Sequence, residues 1–509
     1  MDHATTTAAP LSLEGPPPTI PARKRYRPPK AKFLADQSRQ LDPISGCPDL
    51  QVPHDHAARF VLELVEQLDL KVLVKKYSAL GRHGFHPKHV LGVLILGSVQ
   101  GLHYASKLAK ATKTDAAYRL VSGGRAISDS TIKKFRAENL AFFQDAVQQT
   151  VAMAVERGLI DPTTLAIDSA RIQADASVKS MRTLERSKKR LEELTKEDVA
   201  ALDEEAHAEH AAKVEKHETA VARCEAEGRT SHSVTDPHAG LLKFPSGAAL
   251  PGHRVTVTSA GSDLRFVVNV LINATPNDFG MLEVTARGAH EALIKAGMLV
   301  REGAPRMQTA ADPGYLSETD LTFAFENRDW LDVLIHEPEV QRRKGVDGAA
   351  LFGRDAFTIA EDGTATCPAG LKMKGPYKNG DNRLWHGDGC VKCGLRERCT
   401  TSKKRALTQN PRLDKVRGHM HSRMAEPGAK ARYNQRIATV EPVFSYIEDA
   451  MGFRRVSSRH TECLKAEILL KILAYNLMRL KAAKPVSACL ISVVVTDDTA
   501  HIIDVCLPS

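Results

Sequence analysis

The sequence predicts an α/β fold, a mixed sheet with helices on its faces, and three features predict it. Two short apolar runs, residues 165–167 and 307–311, each lead to an aspartate, Asp168 and Asp312, and are too short for helices and too apolar for loops. The segments HRVTVTSAG and RFVVNVLIN are β-branched and joined by a Gly-Ser-Asp turn, which reads as a hairpin. Helix-period stretches, MLEVTARGAHEALIKAG and residues 317–326, then alternate with the strands of Asp312 and of DVLIHEP. The order strand, hairpin, helix, strand, helix, strand suits one mixed sheet.

The chain opens on a different composition. Residues 1–53 carry Pro10, Pro16, Pro17, Pro18, Pro21, Pro28 and Pro29 around the basic cluster Arg23, Lys24, Arg25 and Arg27, and read as a disordered basic arm. Residues 54–160 read as helical. Phe60, Val61, Leu64, Val65, Leu68 and Leu70 recur at helix spacing, and His86-Pro87 opens HVLGVLILGSVQGL, apolar on most sides and so buried. Asp129 or Ser130 is positioned to cap one long helix, TIKKFRAENLAFFQDAVQQTVAMAVERGL, with Lys133, Lys134 and Arg136 in its first turns. Positive charge there opposes the helix dipole, so these three side chains are candidates for phosphate contact.

Residues 161–340 with 437–483 carry the sheet. Residues 178–230 interrupt it with a helical insertion in which Leu184, Leu191, Leu194, Val199 and Leu202 are spaced for a helix or helical hairpin. Asp236, in VTDPHAG, and Asp278, in TPNDFG, read as turn residues. Residues 341–436 form a basic, Cys-rich insertion. Between residues 371 and 436 stand 17 Lys and Arg against 5 Asp and Glu, a local excess of 12 that exceeds the whole chain's +10. Charge this dense beside a candidate site points to nucleic acid. Within the insertion Cys390-x-x-Cys393, with Cys367 and Cys399, could clamp Zn²⁺ as a tetrahedral thiolate set, a possible structural zinc. The other five cysteines lack such spacing. Residues 484–509, including ISVVVTDD and HIIDVCLPS, read as weak strands in a tail without an assigned role.

Two carboxylates at strand ends, Asp168 and Asp312, and one on a helix, Glu441, could converge on paired divalent ions. Mg²⁺ prefers hard oxygen ligands, and two ions ~4 Å apart stabilise the attacking and leaving oxygens of a phosphodiester displacement.

LAIDSARIQADAS, ADPGYLSETDL and YNQRIATVEPVFSYIEDAMGFRRVSSRHTECLKAEILLKILAYNLMRL together resemble a DDE transposase of bacterial insertion sequences, closest to the insertion-sequence 1182 group, in one collinear order over about residues 55–480. The resemblance implies a ribonuclease H-like catalytic domain with Asp168, Asp312 and Glu441 as the triad holding Mg²⁺ or Mn²⁺. It implies that Tyr433 and Arg436 contact DNA near the cleaved bond, and that an InsH-type N-terminal domain recognises the element's terminal inverted repeats. Double-stranded DNA at element ends and target, and a homodimer on that DNA, are the implied partners. Two positions depart from the family pattern: Glu448 stands where a Lys is expected, and Ser169 follows the first Asp in place of Gly. The expected activity is Mg²⁺-dependent strand cleavage and transfer by cut-and-paste; a catalytically decayed DNA-binding protein and a nuclease without strand transfer are the alternatives.

No apolar run approaches the ~20 residues needed to span a bilayer, and the first residues lack a basic region followed by an apolar core. A cytoplasmic protein without membrane partners, nucleoid-associated when bound to DNA, is expected.

Overall fold

The computed structural model describes residues 32–42, 46–78, 80, 83–197, 203–226, 228–261, 263–299, 305–338, 350–459 and 461–483, and the backbone alone of 491–496 and 499–504. The basic cluster at residues 23–27, with Val199 and Leu202, lies outside the described residues.

The N-terminal helices include α1 (Ala57–Glu66), α2 (Pro87–Val99), α3 (Asp129–Ala137) and α4 (Leu140–Glu156). Pro87 occupies the first turn of α2, where its missing N–H costs nothing, and the His86 imidazole accepts the Lys88 N–H. The helix is buried around most of its circumference, as its continuous apolar sequence requires. The expected single helix from residue 131 to 159 is instead two. Ser128, rather than Asp129 or Ser130, caps α3 by accepting the Thr131 N–H. The helix then breaks at Asn139, whose buried side chain donates to the Phe135 carbonyl at 2.6 Å and satisfies a group the helix leaves open.

The sheet holds β1 (Leu165–Gln173), β2 (Gly240–Lys243), β3 (Ala249–Ala260), β4 (Phe266–Asn273), β5 (Met307–Ala311) and β6 (Leu331–Ile335). β3 runs antiparallel to β1 from Leu165↔Ala260 to Gln173↔Gly252, and β2 and β4 share its other edge in tandem. β5 is parallel to β1, and β6 to β5. Two helices make the crossovers. This mixed sheet with its helices is compatible with a ribonuclease H-like fold. β1 is longer than its apolar run: β3 continues pairing to Gln173, so Asp168 is the fourth residue of a nine-residue strand and not its end. Asp312 does follow the last residue of β5 directly.

In the insertion, α5 (Leu184–Lys196) packs against α6 (Glu204–Ala226), with Leu194, Ala220 and Cys224 buried. Its base is pinned by pairing of Met181–Thr183 with Ser231–Ser233. The crossover helices are α7 (Leu282–Lys295) and α8 (Glu318–Glu326). In the Cys-rich segment β7 (Lys374–Asn379), β8 (Asn382–His386) and β9 (Ala406–Gln409) make a small antiparallel sheet. Its core is separate and small: Phe357, Ala365, Met373, Trp385, Cys399 and Leu407.

Helices α9 (Pro411–Ala425), α10 (Ala429–Ser445) and α11 (Thr461–Ala482) complete the body. α11 is buried on most sides and joins the N-terminal helices to the sheet. Its Asn476 is fully buried, donating to Thr150 Oγ1 in α4 at 2.9 Å and to the Val267 carbonyl in β4 at 2.8 Å, and accepting the Val267 N–H at 3.0 Å. The N-terminal helices and the sheet consequently share one continuous core. In the tail, Ile491–Thr496 pairs with Thr499–Asp504 as an antiparallel hairpin. Among the described residues no helix is long and apolar enough to cross a membrane.

Candidate active site

Asp168 projects from the middle of β1 toward α10. Its Oδ1 accepts the Ser169 N–H at 2.8 Å and its Oδ2 accepts from Arg436 Nη1 at 3.0 Å. Burial pushes its carboxyl up to about 6; Arg436 and the Ser169 N–H oppose that, and the neighbouring Asp312 adds to it. Asp312 caps a short 3₁₀ turn, Pro313–Tyr315, with Oδ1 accepting the Gly314 N–H at 2.8 Å. Burial raises this carboxyl too, and Asp278 reinforces the shift. The strands thus hold two carboxyls where solvation is poor, with Asp312 opposing the ionisation of Asp168 and Asp278 that of Asp312.

Arg436 and Tyr433 lie on α10. Arg436 is largely buried, its guanidinium 5.9 Å from the Tyr433 ring centre, and its Nε has no hydrogen-bond partner among the described residues. Tyr433 packs by Ala310, Leu334 and Ala429, and burial raises its phenol. Glu441 is on the same helix but on its outer side: it is exposed, and among the described residues it takes no ion pair or hydrogen bond. Its neighbours Val440 and Val443 hold the buried positions. The structure therefore brings Asp168 and Asp312 together and leaves Glu441 outside. Glu448 lies half-buried in the π-helical turn Tyr446–Ala450, its carboxyl raised by burial.

Next along β1, Ser169 joins a cluster that sequence reasoning missed. Asp278 is no simple turn residue: Oδ1 accepts from Ser169 Oγ at 2.8 Å and Oδ2 from Arg254 Nη1 at 2.6 Å. Arg254, 1% exposed, also donates to Ser169 Oγ at 2.7 Å and to the Thr275 and Pro276 carbonyls. The signal was present in HRVTVTSAG: an arginine inside a buried strand needs a carboxylate partner. Asp236 is likewise buried, accepting from His253 Nε2 at 3.1 Å.

The three basic candidates of the N-terminal helices differ in setting. Lys133 and Lys134 are exposed and pair with Asp129 and Glu138 at 2.9 and 3.9 Å. Arg136 is buried instead, with Nη1 3.9 Å from Glu467 of α11, so it is not presented to a phosphate.

Cys367, Cys390, Cys393 and Cys399 are free thiols lining one small cavity, and burial raises the Cys399 thiol, with the other three sulfurs adding. Among the described residues no three or more His, Cys, Asp or Glu side chains are disposed to hold a metal ion. The Asp168 and Asp312 pair nonetheless suits a hard divalent cation in its chemistry. Both donors are carboxylate oxygens, and a cation between them would relieve both the burial cost and the mutual repulsion.

Residues 366–481 match the family model of a transposase DDE domain, and residues 47–138 match that of a transposase domain (DUF772). Both matched models describe transposase domains. Their order is consistent with a DDE transposase of insertion sequences. The DDE match takes in Tyr433, Arg436, Glu441 and the four clustered cysteines, while Asp168 and Asp312 lie before it. No curated protein matches the chain.

Proposed function

We propose that this transposase cuts DNA at the ends of an insertion sequence and joins the freed 3′ ends to a target, in a cut-and-paste reaction. The observation that carries the reading is the pair of half-buried carboxyls of Asp168 and Asp312, each following paired residues of adjacent parallel strands and each raised by burial, with the Arg436 guanidinium on Asp168. Asp168 and Asp312, joined by Glu441, would hold Mg²⁺ or Mn²⁺. Such ions activate water or a 3′-hydroxyl and stabilise the leaving oxygen. Arg436 binds the phosphate next to the scissile bond, and Tyr433 orients the guanidinium by stacking.

Double-stranded DNA is the substrate, held by the basic surface of residues 371–436 and, at the terminal repeats, by the N-terminal helices with Lys133 and Lys134. Two copies bridge the two ends as a homodimer on DNA, in the cytoplasm. Within the Cys-rich segment, the four thiols and a core of six buried residues support a structural zinc, since so small a core needs a staple.

A second reading, a decayed transposase that binds DNA without cutting it, is favoured by the outward Glu441 and by Glu448. Incubating the protein with a duplex carrying the element's native end decides between them. Mg²⁺-dependent nicking at the end, lost in Asp168→Asn and Asp312→Asn while DNA binding persists, supports the enzyme. Binding without nicking supports the decayed protein.

A further inference from the structure

We propose that α10 has a second register, in which Glu441 takes the place now held by Val440 and joins Asp168 and Asp312. The register change presupposes the carboxylate pair proposed above and supplies the route by which a third carboxylate arrives.

Spacing makes the change a one-residue event. In an α-helix the residue four after Arg436 lies over its face, and that residue is Val440, 0% exposed. Glu441 is one position further, about 100° round the axis. A single extra residue accommodated between Arg436 and Glu441, as in a π-bulge, would turn Glu441 onto the Arg436 face.

The extra residue is already in the helix. α10 runs directly into the π-helical turn Tyr446–Ala450, where the Met451 N–H bonds to the Tyr446 carbonyl at 2.9 Å. Moving this bulge upstream of Glu441 rotates only the intervening residues and leaves the chain from Met451 onward in place. Burial is exchanged in part: half-buried Phe444 takes the Val443 position and Pro442 the solvent-facing position of Glu441, while Val443 moves to the half-buried place of Pro442 and Tyr446 to the exposed place of Ser445.

The point at which the bulge would enter is already open. Pro442 has no N–H for the Ala438 carbonyl, and Arg265 Nε fills that role at 2.6 Å. Ser259 Oγ donates to the next carbonyl, of Thr439, at 3.0 Å. Hydrogen bonds from β3 and from the turn before β4 thus hold the helix where its own ladder is weakest.

Electrostatics sets the trigger. Without cations, a third carboxylate entering beside two that already oppose each other is repelled, and the outward register wins. Divalent ions reverse that preference only once a DNA phosphate has drawn Arg436 from Asp168 and so removed the group that now neutralises the site.

Mn²⁺ binding to the full chain, followed by electron paramagnetic resonance, tests the register. Free protein and protein bound to the native end duplex would be compared, with the emission of an indole introduced by Phe444→Trp as a second readout. Glu441→Gln is expected to leave Mn²⁺ affinity of the free protein unchanged and to weaken that of the DNA complex at least tenfold. The emission of the introduced indole is expected to shift to the blue when DNA and Mn²⁺ are both present. Equal weakening of the free protein by Glu441→Gln, no effect in either state, or an unmoved indole emission would overturn the second register. Failure of Asp168→Asn and Asp312→Asn to weaken Mn²⁺ binding would instead overturn the carboxylate pair.

Discussion

Arg436 Nη1 donates to Asp168 Oδ2 at 3.0 Å, across 268 residues of chain, and ties α10 to the centre of the sheet. That bond does not offset burial, which holds the Asp168 carboxyl at about 6, above its ordinary value of 3.8. A divalent ion binding there below pH 6 must displace a proton. Mn²⁺ affinity should therefore rise up to about tenfold per pH unit through the window from pH 4 to 6, and level off above it. Titrations at several pH values check this, and Asp168→Asn should flatten the profile.

A buried lysine predicts a stability profile that also rises with pH, in a higher window. Lys471 of α11 is fully enclosed, its Nζ bonding to Ser98 Oγ at 3.0 Å and His103 Nδ1 at 2.8 Å, with Glu467 and Arg136 nearby. Burial lowers its ammonium to about 7, from 10.5. The folded state therefore binds fewer protons than the unfolded chain between those values, and this group's contribution to stability rises with pH across pH 7 to 10. The slope is at most about 1.4 kcal/mol per pH unit. Urea unfolding at pH 7 and 9 measures it, and Lys471→Met should remove the rise.

The Arg254 and Asp278 pair should be structural before anything else. Arg254→Met leaves the Asp278 carboxylate enclosed without its cation, at a cost of about 3–5 kcal/mol. The double variant Arg254→Met with Asp278→Leu should lose less than Arg254→Met alone, because no unpaired charge remains. Denaturant midpoints of the three proteins make the comparison.

The zinc proposed for the Cys-rich segment would have an optical reporter. Trp385 is fully buried there, its indole N–H donating to the Gly363 carbonyl at 3.0 Å. Chelation of a structural zinc should expose this indole and shift its emission to the red, and purified protein should hold one zinc per chain. Cys393→Ser should reproduce the shift without chelator.

Legibility varied along the chain with the source of each signal. The hairpin β3–β4, the crossovers α7 and α8 and the inserted helices were readable because each has its own period or turn residues. The extent of β1 was not: its half-polar end, residues 168–173, is a strand only because β3 is long enough to pair with it. The break between α3 and α4 depends on a buried side chain, Asn139, that satisfies a carbonyl, which no periodicity reveals. The approach of Asp168 and Asp312 follows from parallel pairing of β1 with β5, and strand-end aspartates hinted at it. The outward Glu441 was hidden, because a helix's apolar stripe fixes which face is buried only to within one residue, and Val440 and Glu441 are adjacent.

The most direct test of the central claim is excision from a plasmid carrying the gene between its native flanks, comparing the intact protein with Asp168→Ala and Asp312→Ala in Mg²⁺. Excision by the intact protein, abolished by either substitution while both variants still bind the flanks, is the predicted result. Excision that survives loss of either aspartate would contradict the account.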